Sequence, residues 1–138
     1  MKQKGKDIER LIPQRYPMLM VDEFETTTEN VAQTVLYVRA DNLFMLPDGT
    51  LAETGLIEHI AQSAAALAGY QSSVSGEPRI GLIGEVKHFE CHQRPKAGDC
   101  VHTHIAFGLT FGNVTMVDGL VSVDGEEIAS ARLKIFMQ

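Results

Sequence analysis

Residues 50–71 read TLAETGLIEHIAQSAAALAGYQ, and the reading of this stretch decides the fold. Ile57, Ile60, Ala61, Ala64 and Ala68 recur at the i, i+3, i+4 spacing of one helical face. Thr50 and Glu53 fit a capping box, in which each side chain satisfies one of the exposed backbone N–H groups at a helix start. The pattern predicts a helix over most of 54–71, fraying near Gly69 or among Ser72, Ser73 and Ser75. Most of its stripe is small, so the helix can lie close to a sheet. Ile57, Ile60, Ala61 and Ala64 are expected to face that sheet.

Upstream, residues 7–11 can form one helical turn, which Pro13 stops. Residues 17–25 and 31–39 read as strands joined by the polar turn TTTEN. In the second, Val31, Val35 and Tyr37 share one face and Ala32, Leu36 and Val38 the other, the pattern of a strand covered on both sides. Downstream, 80–91, 101–109, 114–123 and 128–137 read as strands separated by the turn signals RPKAGD, FGN and DGEE. Turns this short make the strands antiparallel neighbours. Two strands, one long helix and four strands predict an α+β hot-dog fold over residues 1–138, a single domain whose sheet wraps the helix. One such sheet leaves a strand edge bare, so a dimer is expected.

Composition narrows the function. The chain has 138 residues and a formal net charge of −6, which argues against a general nucleic-acid binder. Lys87, Arg94 and Lys96 are close enough in sequence to form a local basic patch for an acidic protein partner, or to be ordinary solvated side chains. Two cysteines, Cys91 and Cys100, are too few for a disulfide framework. The start, MKQKGKDIERLIP, has the lysines of a signal peptide without its apolar run, and no stretch approaches a membrane span, so a cytoplasmic location is expected.

Three separated segments resemble the (3R)-hydroxyacyl-[acyl-carrier-protein] dehydratases. IPQRYPMLMVD at 12–22 is similar to that family's L-P-H-R-Y-P-F-L-L-V-D. IEHIAQ at 57–62 is similar to its I-E-A-M-A-Q on the central helix, and KHFECHQRPKAGD at 87–99 to a basic, aromatic strand ending in P-x-x-P-G-D. The resemblance implies removal of water from a 3-hydroxyacyl thioester, with a base taking the proton next to the carbonyl and an acid protonating the leaving hydroxyl. It carries the acid onto Glu58. The family's base, a histidine in a G-H-F-P loop, has no counterpart: 43–49 reads LFMLPDG, and no histidine precedes His59.

Around Glu58 the resemblance implies substrate-binding or orienting roles for Gln14, Gly55 and Gln62. Gln14 stands where the family has a histidine, and an amide cannot exchange a proton at neutral pH, so it can orient but not act as base. Gly55 lies three residues before Glu58, where the family's carbonyl-binding glycine lies five before its acid. Gln62, one turn after Glu58, can hydrogen-bond the carboxylate. His59 diverges from Glu58 by about 100 degrees around the helix, which turns it from the same substrate. Cys100, His102 and His104 share one face of a strand, but a flat row is a poor tetrahedral site, so no metal is expected, nor any cofactor. Met18, Met20, Met45 and Met116 read as core filler or as lining of an acyl tunnel.

Three functions remain open. The first is a dehydratase-like protein working on acyl chains carried by acyl carrier protein or coenzyme A, as a homodimer or as a heterodimer whose second hot-dog subunit supplies the base. The second is a thioesterase in which Glu58 activates water. The third is a subunit that binds acyl chains without turnover.

Overall fold

The computed structural model describes residues 2–76 and 81–137. Seven strands form one antiparallel sheet: β1 (Lys2–Lys4), β2 (Glu23–Thr28), β3 (Val31–Tyr37), β4 (Gly81–Cys91), β5 (Cys100–Phe111), β6 (Val114–Val123) and β7 (Glu126–Met137). Their spatial order is β1-β2-β3-β5-β6-β7-β4. The single long helix, α1 (Glu53–Ser75), packs against β2, β3, β4 and β5, which is the expected hot-dog arrangement. Strand β4, entered directly after the helix, ends up at the far edge beside β7 alone. Ile80, expected to open that strand, lies outside the described residues.

The core forms where the inner strand faces meet the helix. Val101, Thr103 and Ile105 alternate inward from β5, and Ala129, Ala131, Leu133 and Ile135 from β7, as their period of two requires. The alternation fails at the end of β5: a register irregularity between Phe107 and Thr110 leaves Leu109 exposed. Across from Ile60, Gly119 is buried, and a side chain there would meet the isoleucine at 2.9 Å.

Four local expectations need correcting. Thr50 and Glu53 form no capping box: the N-cap is Ala52, without a side-chain cap, because the Thr50 hydroxyl donates to Asp48 Oδ1 at 2.6 Å. Ile57 is only half-buried, because the stripe that packs on the sheet is turned toward Leu56, Ile60, Ala64 and Leu67. Strand β3 is covered on one face only, with Ala32, Thr34 and Leu36 inside and Gln33 and Tyr37 exposed. Residues 17–22 are no strand. They belong to an irregular strap that follows a 3-10 helix at Gly5–Arg10 and includes a cis Tyr16–Pro17 bond. Met18 on this strap is exposed, Met45 and Met116 are half-buried, and only Met20 of the four methionines is fully in the core.

The strap lies along α1, and glycine makes that possible. At Gly69 an added side-chain carbon would lie 2.1 Å from the Leu11 carbonyl oxygen, so only glycine lets the strap touch the helix there. From Leu11 to Met20 the strap then runs back toward the start of the helix, where the functional residues are.

Candidate functional site

Glu58 sits half-buried on the second turn of α1. Its Oε2 accepts a hydrogen bond from Gln62 Nε2 at 2.7 Å, the i, i+4 contact expected on a helix face. Gln62 does more than that. Its Nε2 also donates to the Met18 carbonyl at 2.8 Å, and its Oε1 accepts from the Met20 N–H at 2.6 Å. The side chain is 1% exposed, and both ends of its amide are engaged. It therefore ties the carboxylate and the strap to one another.

His59 completes the grip from the other side. Its ring is fully buried, with Nδ1 2.6 Å from the Met20 carbonyl and Nε2 2.7 Å from Thr103 Oγ1 on β5. A carbonyl only accepts, so Nδ1 carries the proton, and Nε2 accepts from the threonine hydroxyl. Burial pushes the imidazole from 6.5 down to about 4, keeping it neutral, although the Met20 bond opposes that shift. With both nitrogens engaged inside the core, His59 is no base for a substrate. A second polar rung lies one turn on: Ser63 donates to the His59 carbonyl at 2.8 Å, and its oxygen is 2.8 Å from Thr34 Oγ1. Reading the sequence missed this ladder. Its signal is three polar residues, His59, Gln62 and Ser63, at i, i+3 and i+4 in a helix that is otherwise largely apolar there.

The loop at 43–49 delivers Phe44 to the helix start. Gly55 makes room: a side chain there would stand 2.6 Å from Phe44 Cβ and 3.1 Å from Leu51 Cδ1. The Gly55 N–H donates to the Ala52 carbonyl at 2.9 Å, so this glycine serves close packing at the helix start. The loop is held from several directions. Asn42 accepts from the Phe44 N–H and donates to Met20 Sδ; Leu51 N–H donates to the Pro95 carbonyl; Arg94 reaches Asp48 and Thr50 Oγ1, each at 3.0 Å. Thr50 and Arg94 hold the Asp48 carboxyl below its usual range.

Gln14 stands apart from this network. Its Oε1 is buried and has no hydrogen-bond partner among the described residues. A cavity of about 690 Å3 lies between the strap and β1–β3 and is lined by Lys4, Tyr16, Leu19, Tyr37 and Arg39. Glu58 does not line it. On the outer sheet face His104 Nδ1 is 2.6 Å from Gln33 Nε2, and Cys100 Sγ is 3.5 Å from His102 Nε2. The described residues include no cluster of three metal-binding side chains.

Comparison with known proteins gives this geometry its family. The model of the ApeP-like group, described as ApeP dehydratase, matches residues 6–138. The chain belongs to the ApeP-like dehydratase family. Consistent with that membership, it is 26% identical over 134 residues to the 3-hydroxyacyl-[acyl-carrier-protein] dehydratase FabZ of Campylobacter lari, covering 92% of each chain. It is 27% identical to the FabZ of Natranaerobius thermophilus, covering 90% of this chain and 89% of that one. Among solved structures, the dehydratase heterocomplex ApeI:P of Xenorhabdus doucetiae shares the fold, with a TM-score of 0.85 at 19% identity over 95% of this chain and 90% of that one. In this member of the family the 43–49 loop, LFMLPDG, carries no histidine. No described helix is long and apolar enough to cross a membrane.

Proposed function

We infer that this chain is the acid-bearing subunit of a dimeric dehydratase that acts on 3-hydroxyacyl thioesters of acyl carrier protein, and that a second hot-dog subunit supplies the base. The observation that carries this reading is the pairing of a Gln62-held Glu58 with a loop that presents Phe44 and no imidazole. Gln62 occupies Oε2, which leaves Oε1 to deliver the proton. In the reaction the partner's base removes a proton from the carbon next to the thioester carbonyl. Glu58 protonates the hydroxyl on the following carbon, that C–O bond breaks, and water leaves as the double bond forms. The Gly55 N–H is committed to Ala52, so the N–H that polarises the thioester carbonyl comes from another residue.

The sheet offers the place for the second subunit. Strand β4 is an eleven-residue edge whose Glu85, Val86, Lys87 and His88 are exposed. Pairing it with the matching edge of a partner continues the sheet and covers that edge.

The test is reconstitution. Alone, the protein should hydrate trans-2-enoyl thioesters, the reverse reaction, weakly or not at all. Mixed with a histidine-bearing hot-dog subunit that lacks its own helix acid, it should restore turnover, and Glu58→Gln should leave the same mixture silent. A verified mixed dimer without activity, or full activity of the chain alone, overturns the partner-supplied base.

A further inference from the structure

The buried ring of His59 has a role that the dehydration scheme leaves unassigned. Met20 is gripped on both sides of its backbone: Gln62 Oε1 takes its N–H at 2.6 Å, and His59 Nδ1–H takes its carbonyl at 2.6 Å. The same Gln62 amide reaches the Met18 carbonyl and the Glu58 carboxylate through one nitrogen. Three partners therefore share one planar group. They can all be satisfied only while the strap keeps its present place along the helix.

The Gln62 amide has no freedom to compensate for a shift of the strap. If Met18 and Met20 move, the amide follows the strap and leaves the carboxylate, or holds the carboxylate and leaves the strap. What fixes the strap independently of Gln62 is the buried imidazole, whose Nδ1–H holds the Met20 carbonyl; its bond to Thr103 on β5 adds stability. Met20 is fully buried, so its carbonyl has no ready substitute donor in water.

We propose that His59 is a positioning residue for the dehydration: by donating to the Met20 carbonyl from the helix, it holds the strap in the register at which Gln62 can orient Glu58. The inference rests on Glu58 being the acid. It makes His59 and Gln62 one device, in which the histidine sets the strap and the glutamine transmits that setting to the carboxylate.

Two conservative substitutions separate this role from mere packing. Asparagine places its amide nitrogen where Nδ1 stands and keeps the donor to Met20. Glutamine places its polar end where Nε2 stands, keeping the reach to Thr103 and losing Met20. Thr103→Val removes the sheet-side hydroxyl and leaves the Met20 donor in place. Each is compared with wild type in the mixed dimer with a histidine-bearing partner, reading kcat and KM for enoyl hydration together with Tm.

His59→Gln should lower kcat by about 10²-fold, the usual cost of roughly an ångström of misplacement, with KM within about twofold. His59→Asn should retain most of kcat. Thr103→Val should lower Tm and keep kcat. Wild-type kcat in folded His59→Gln overturns the proposal, as does an equal loss of kcat in Thr103→Val. If His59→Gln does not assemble, a folded His59→Asn with the same large kcat loss overturns it. Glu58→Gln is the separate control: if that variant stays active, the assignment of the acid fails, whatever His59 does.

Discussion

The two sides of the helix start treat polar groups in opposite ways. On the strap side, Glu58, His59 and Gln62 are held by hydrogen bonds of 2.6–2.8 Å. On the loop side, the 43–49 segment carries no histidine and packs Phe44 on Gly55. On the function proposed above, the helix side carries the acid of the pair with its supports, and the loop side contributes packing alone.

The sharpest way to break this comparison is to remove the retained half. Glu58→Gln in a mixed dimer should cost about 10²–10⁴ in kcat, the usual contribution of a general acid, with little change in Tm. Enoyl hydration, followed by loss of the conjugated absorbance, reads it directly. Next in size is an attack on the packed half. Gly55→Ala places a carbon 2.6 Å from Phe44 Cβ and should destabilise the fold by about 1–3 kcal/mol, measured by urea unfolding.

The strap side also has a pH signature. The folded chain holds His59 near 4, while an unfolded imidazole titrates near 6.5, so the unfolded state binds the extra proton between those values. This contribution is complete above about pH 6.5 and is lost as pH falls toward 4, at up to about 1.4 kcal/mol per pH unit. His59→Asn, which has no titrating ring, should flatten that part of the stability profile. The smallest effect belongs to the loop's outer tether. Arg94→Ala removes an exposed pair with Asp48 and a bond to Thr50, and Tm should fall by no more than about 3 °C.

The helix, the later strands and their antiparallel order are legible in the sequence because local periodicity and turn chemistry coincide there. The alternation of Ala129, Ala131, Leu133 and Ile135 needs no tertiary information to be read. Residues 17–22 mislead for the opposite reason: an apolar run looks like a strand, but the bonds from Met18 and Met20 go to Gln62 and His59, about forty residues away. The capping box is lost in the same way. Thr50 has the right spacing to Glu53, yet Asp48 is nearer and takes its hydroxyl. Glu58 and Gln62 can be picked out because motif and helical spacing coincide. The strap's dependence on His59 becomes visible only when the chain folds back on itself.

Strand β4 carries a consequence for the life of the chain in a cell. Eleven residues of unmatched backbone at a sheet margin are a template for any extended peptide that drifts past, and the opposite margin, β1, is kept safer by its three-residue length and two lysines. A copy made without its counterpart is therefore a hazard in proportion to its surplus. If the proposed second subunit covers this edge, supply of the two chains has to be matched, and an imbalance should surface as aggregation or turnover before it surfaces as lost chemistry.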